Sequence, residues 1–167
     1  MEKIIRWGFL GCGKVVHKKS GDAFRNVSNS RIEAIMRRDM GAAKASAEHF
    51  GAPCWCDSVE KLLAMDIDAV YIATPPGMHY EQAMQCLKAG KAVYLEKPFA
   101  RNYTEAKEIT EAFKEAGVPL YVGHYRRALP RFLKIREMLN EECIGKPLFI
   151  EFELNRVFSQ EEADNSW

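Results

Sequence analysis

No stretch of this 167-residue chain approaches the ~20 consecutive apolar residues that span a bilayer, so a transmembrane helix is excluded. Its first residues lack the form of a secretory leader. Charge of one sign is also lacking: 24 basic and 23 acidic side chains leave a net +1, so charge points to no nucleic acid or other polyanion. Cysteine is sparse. The five are Cys12, Cys54, Cys56, Cys86 and Cys143, odd in number and without a C-x-x-C pair, which argues against a zinc or redox centre. Reduced thiols in a cytoplasmic protein are the expectation. Repeats, low-complexity tracts and linkers are missing as well. Apolar residues make up 47% of the chain, enough for a globular core and too many for disorder.

What is present begins with Trp7-Gly8-Phe9-Leu10-Gly11-Cys12-Gly13-Lys14-Val15-Val16. An apolar run from Ile4 to Leu10 enters two glycines spaced by one residue, and a helix-compatible stretch follows. A strand, tight turn and helix N-terminus aim backbone N–H groups and the positive end of a helix dipole at one spot, which suits a pyrophosphate. Gly11 allows the turn and Gly13 lets a phosphate approach the backbone. The third position of G-x-G-x-x-G is Val16, so the motif is incomplete, and an ordinary strand-to-helix turn is the competing reading.

Helices are expected over Lys14 to Phe24, Ala42 to Phe50, a stretch through Met65 capped by Asp57 or Ser58, Met78 to Ala89, and a stretch capped by Thr104 and running to Ala116. Strands are expected at Ile4 to Leu10, Arg31 to Met36, Cys54 to Cys56, Ala69 to Ala73, Ala92 to Leu95 and Leu120 to Gly123. Strict alternation implies an α/β fold, a doubly wound parallel sheet with helices on both faces. Beyond it, Pro130 to Asn140 reads as a helix and Leu148 to Val157 as a long strand with one wet face. The residues from Ser159 to Trp167 read as a loose polar end.

Three further stretches fall at the carboxyl edge of that sheet. Met36-Arg37-Arg38-Asp39 ends the second strand, with Arg37 24 residues after Gly13, near the usual ~20 for the residue that meets the adenosine ribose. An acid there bonds the 2′-hydroxyl of NAD, whereas an arginine fork suits the 2′-phosphate of NADP. The bland alternative is a solvated basic turn, and Asp39 leaves room for NAD. Thr74-Pro75-Pro76-Gly77-Met78-His79 follows the fourth strand as a stiff floor, although a lone His79 is more often structural. Glu96-Lys97-Pro98 ends the fifth. A solvated ion pair is its ordinary reading. Facing a cofactor crevice, Lys97 can instead give a proton to a carbonyl or hold an alkoxide.

Taken in order, Gly8-x-x-Gly11-Cys12-Gly13, Ala73-Thr74-Pro75-Pro76-x-x-His79 and Ala89-Gly90-Lys91-x-Val93-x-x-Glu96-Lys97-Pro98 resemble the N-terminal half of the glucose–fructose oxidoreductase / inositol dehydrogenase (Gfo/Idh/MocA) family. The resemblance implies a Rossmann-type NAD(P)-binding domain over 1–124. It implies that 125–167 begins a truncated α+β domain for substrate and oligomerisation, with Gly123 to Arg127 as the passage into it. It also implies hydride transfer between NADP, or less favoured NAD, and a sugar-like or cyclic polyol substrate. Gly11, Cys12, Gly13, Lys14, Val15, Arg37, Arg38, Thr74, Pro75, Pro76, His79, Glu96 and Lys97 would hold the cofactor. Lys97 would contact the reacting hydroxyl, Glu96 would lie near the nicotinamide ribose, and the Lys97–Pro98 bond would be cis. An Asp and a His that complete the family's site would fall after Trp167, so these 167 residues alone are expected to be inactive. The whole protein is expected to be a homo-oligomer. A non-catalytic NAD(P)-binding or sensor module is the alternative, since fold does not fix function. A protein-interaction fragment with an unpaired Leu148 to Val157 edge is a third.

Overall fold

The structure, a computed structural model, describes residues 3–155 and residue 157. It divides into two compact units, residues 1–124 and 125–167.

In the first unit six strands, β1 (Ile5–Leu10), β2 (Ser30–Met36), β3 (Cys54–Cys56), β4 (Ala69–Ile72), β5 (Ala92–Leu95) and β6 (Leu120–Val122), form one parallel sheet in the order β3-β2-β1-β4-β5-β6. Strand order reverses between β1 and β4, so their carboxyl ends diverge into a crevice. This is the doubly wound, Rossmann-type sheet anticipated from the alternation of apolar runs. Parallel strands are covered on both faces. Leu10, Met36, Ile72 and Leu95 pack on one side with Leu62, Ile109 and Phe113, while Phe9, Ile35 and Tyr71 pack on the other with Val16 and Phe50.

The connecting helices are α1 (Gly21–Arg25), α2 (Met40–Phe50), α3 (Val59–Leu63), α4 (His79–Lys88) and α5 (Tyr103–Ala116). Residues 14–25 are continuously helical, but Val16–Ser20 is wound as a wider π turn before α1. Ser58 caps α3, which stops at Leu63, two residues short of Met65. Asn102, rather than Thr104, caps α5: its extended backbone lets the side-chain oxygen accept from Glu105 N at 3.0 Å. The Lys97–Pro98 bond is cis.

Opposite the crevice, Asp68 ties β4 to β1. It accepts from Arg6 N and Arg6 Nε, both at 2.9 Å, and the guanidinium holds its carboxyl well below the usual carboxylate range. A depressed folded value stabilises above the unfolded one, ~3.9, and the gain fades as pH falls through the folded one. Asp68→Asn is therefore expected to lower the unfolding free energy by about 1–3 kcal/mol at pH 7. In urea titrations its difference from wild type should shrink as pH drops below about 4.

The second unit contains α6 (Pro130–Asn140). The expected strand from Leu148 to Val157 is not formed: residues 148–155 have no ladder partner among the described residues, and Phe149 and Phe152 are 84% and 82% exposed. A strand is completed by its neighbour's backbone, and no such neighbour lies beside this segment among the described residues. Arg156 and the stretch from Ser159 lie outside the described residues.

Candidate functional site

The glycine turn closes the gap between β1 and β4. Gly11 has φ +83°, and a Cβ there would lie 2.9 Å from Thr74 Cγ2 and 3.0 Å from Ala73 O, so only glycine fits. Its N–H reaches Met36 O at 3.1 Å, fixing the turn to the end of β2. Gly13 has open space where a Cβ would be. Lys14 and Val15, both exposed, begin the helical segment, whose first N–H groups have no acceptor within the helix. Cys12 is buried, with burial pushing its thiol up, so only its backbone faces outward chemistry. A tight glycine falls further along this helical segment, at Gly21, where a Cβ would meet the Phe50 ring of α2 at 2.5 Å. Val16 fills core.

At the end of β2, Arg37 N donates to Cys56 O at 3.0 Å, and its half-buried side chain donates from Nη1 to Ser46 Oγ at 3.2 Å. Arg38 is exposed. Neither arginine has a carboxylate partner among the described residues. Asp39 is committed to the helix: its Oδ1 accepts from Ala42 N at 2.6 Å as the cap of α2.

After β4, Pro75 and Pro76 are exposed on the loop, and Thr74 donates to Gln82 Oε1 at 2.6 Å. The expectation that His79 lines the crevice is corrected. It is fully buried, with Nε2 2.9 Å from Thr74 O and Nδ1 2.9 Å from Pro98 O. It lies between the loops after β4 and β5, and its ring N–H donates to one of these two loop carbonyls, which satisfies a buried donor.

After β5, the Glu96 carboxylate is held on both oxygens. Tyr71 donates to Oε1 at 2.7 Å and Lys97 N to Oε2 at 3.1 Å. Ser20 Oγ lies 2.8 Å from the Tyr71 hydroxyl, and burial pushes that phenol far up. Lys97 is exposed, and its ammonium has no partner among the described residues. Sequence reasoning missed Tyr71, Ser20, Ser46 and His17. A tyrosine inside the fully buried run Ala69–Ile72 was the available signal, since a buried phenol seeks a partner.

The arrangement offers a positive, glycine-lined turn, two arginines without a carboxylate partner among the described residues at one end and an exposed ammonium at the other, all along one sheet edge. Residues 5–124 match a family model described as an oxidoreductase family with an NAD-binding Rossmann fold. An oxidoreductase of Formosa agariphila is 43% identical over 158 residues, covering 94% of this chain and 49% of that protein. The 1,5-anhydro-D-fructose reductase of Ensifer adhaerens is 32% identical over 145 residues, 86% of this chain and 43% of its own length. The chain thus spans about half the length of the curated relatives it matches. Among solved structures, a 3-ketoreductase from Actinomadura kijaniata, in complex with TDP-benzene and NADP, superposes with a TM-score of 0.79 at 29% identity, over 86% of this chain and 45% of that one.

Proposed function

Because the chain belongs to the Gfo/Idh/MocA oxidoreductase family, we propose that it is the nucleotide-binding half of an NADP-dependent dehydrogenase or reductase acting on a hydroxyl or carbonyl of a sugar-like or cyclic polyol substrate. The observation that carries this reading is Lys97: a free ammonium at the same sheet edge as the open Gly13 turn. The nicotinamide, when bound, supplies or takes the hydride. The chain's own residues do the rest. Backbone N–H groups of Gly13, Lys14 and Val15 hold the pyrophosphate. Thr74, Pro75 and Pro76 form the floor. Glu96, oriented by Tyr71, accepts from the nicotinamide ribose. Lys97 moves the proton at the reacting oxygen. The relative named for anhydrofructose and the 3-ketoreductase support the substrate class.

NADP is favoured over NAD because Arg37 and Arg38 are without acidic partners among the described residues while Asp39 is occupied as a helix cap. A charge-assisted hydrogen bond is worth roughly 1.5–3 kcal/mol, so Arg37→Ala should weaken NADPH about 10- to 150-fold. NADH should be nearly unaffected. Parallel fluorescence titrations of the two cofactors test this, and equal affinities in the unmutated protein would reject it. The free cysteines support a cytoplasmic setting, and the whole protein is proposed to assemble into a homo-oligomer, which light scattering checks.

A further inference from the structure

We propose that Ser46, backed by His17, is a positioning residue that sets cofactor preference by pinning the guanidinium of Arg37 before the cofactor arrives. The inference rests on the reading of Arg37 as the partner of a 2′-phosphate.

Ser46 sits inside α2 and is 1% exposed. A serine or threonine within a helix ordinarily turns to solvent or back to the carbonyl four residues earlier. Thr110 of α5 does the latter, donating to Ala106 O at 2.7 Å. Ser46 does neither. Its Oγ accepts from Arg37 Nη1 at 3.2 Å and lies 3.2 Å from His17 Nε2. His17 belongs to the π turn behind the glycine loop, and its Nε2 also lies 3.5 Å from Cys12 Sγ.

Three elements therefore converge on one hydroxyl: the end of β2, the middle of α2 and the helical segment after the glycine turn. The hydroxyl has one proton and two lone pairs. With one lone pair on Arg37, its proton is left for the ring of His17, provided that Nε2 is unprotonated. Burial, with the neighbouring His49 and Arg37, lowers His17 from its ordinary value, consistent with that neutral ring. The chain then runs in one direction, from guanidinium to hydroxyl to imidazole.

A free arginine side chain has several rotatable bonds to freeze when it meets a phosphate. Fixing it beforehand removes that cost from binding. Arg37 has further N–H donors without side-chain partners among the described residues, so the bond to Ser46 leaves a fork for the ligand. NADH presents no 2′-phosphate and gains nothing from the pinning.

The test measures NADPH and NADH dissociation constants by fluorescence in the full chain for wild type, Ser46→Ala, Arg37→Ala and the double variant. Alanine is the best helix former, so α2 should be retained. Ser46→Cys, whose sulfur is a weak acceptor of similar size, repeats the test if the alanine variant does not fold. Ser46→Ala is expected to weaken NADPH about 3- to 10-fold, the scale of one hydrogen bond. NADH should hold, and in the Arg37→Ala background the same change should move NADPH by less than about twofold. Equal weakening of both cofactors, or an undiminished effect without Arg37, would mark Ser46 as merely structural and overturn the proposal. A loss confined to Arg37→Ala would overturn it while leaving the 2′-phosphate reading intact. If Arg37→Ala itself leaves NADPH unchanged, that reading fails and the role of Ser46 falls with it.

Discussion

A polypeptide of these 167 residues, purified alone, is expected to bind NADPH and to turn over no sugar or polyol. Every group assigned to the cofactor lies before residue 124, within one compact unit. The sheet edge, the open Gly13 turn and the fixed Glu96 carboxylate need nothing from the second unit. Substrate orientation is another matter. The chain spans 49% of one relative and 43% of another. Within the first unit, Lys97 stands exposed. Orientation can supply roughly 7–11 kcal/mol of a barrier, so its loss amounts to about 10⁵- to 10⁸-fold in rate. Two measurements on the same preparation decide the matter: NADPH binding by fluorescence and NADP reduction with a panel of sugars and inositols. Robust turnover would show that these residues already contain a substrate site. Absence of nucleotide binding would undo the reading of the glycine turn.

The parts of this site that depend on local chemistry were legible in the sequence. Gly11 is required by its own φ and by the closeness of Thr74, and such a glycine announces itself beside an apolar run. The buried strands β1, β2, β4 and β5 carry the apolar residues a doubly covered sheet demands. Groups whose roles come from distant partners were not legible. Gly21 is tight against the Val16 carbonyl and, most closely, against Phe50 of α2, which comes 29 residues later. His79 in sequence is a polar residue after a proline loop, and only the fold brings Pro98 O to its ring. Ser46 looks like any small helix residue until Arg37 and His17 meet it. The cap of α5 shows a milder form of the same limit. Asn102 and Thr104 both satisfy the capping rule, and the extended backbone at Asn102 decides between them. Leu148 to Val157 has strand-like composition, but pairing is a property of two segments.

Replacing Lys97 by alanine in the whole protein is expected to lower kcat by ~10²–10⁴, the usual cost of losing a positioned acid or base. Cofactor dissociation constants should change little, because the groups proposed for the pyrophosphate and adenosine lie on β1, β2 and the loops after them. The geometry separates the duties of the two neighbours. Both oxygens of Glu96 are engaged, one by Tyr71 and one by the Lys97 backbone, so its carboxylate is a fixed acceptor. The Lys97 ammonium is free to approach a reacting oxygen and to exchange its proton. Lys97→Arg distinguishes proton transfer from charge alone. A guanidinium keeps the positive charge but does not give up a proton in a protein. If Lys97 moves the proton, the arginine variant remains nearly as slow as the alanine variant, in both reaction directions. If it only steadies a developing alkoxide, arginine recovers much of the rate. The first outcome is expected, read from kcat with each cofactor at saturation. A Lys97→Ala enzyme with near-normal kcat would move the chemistry to another residue.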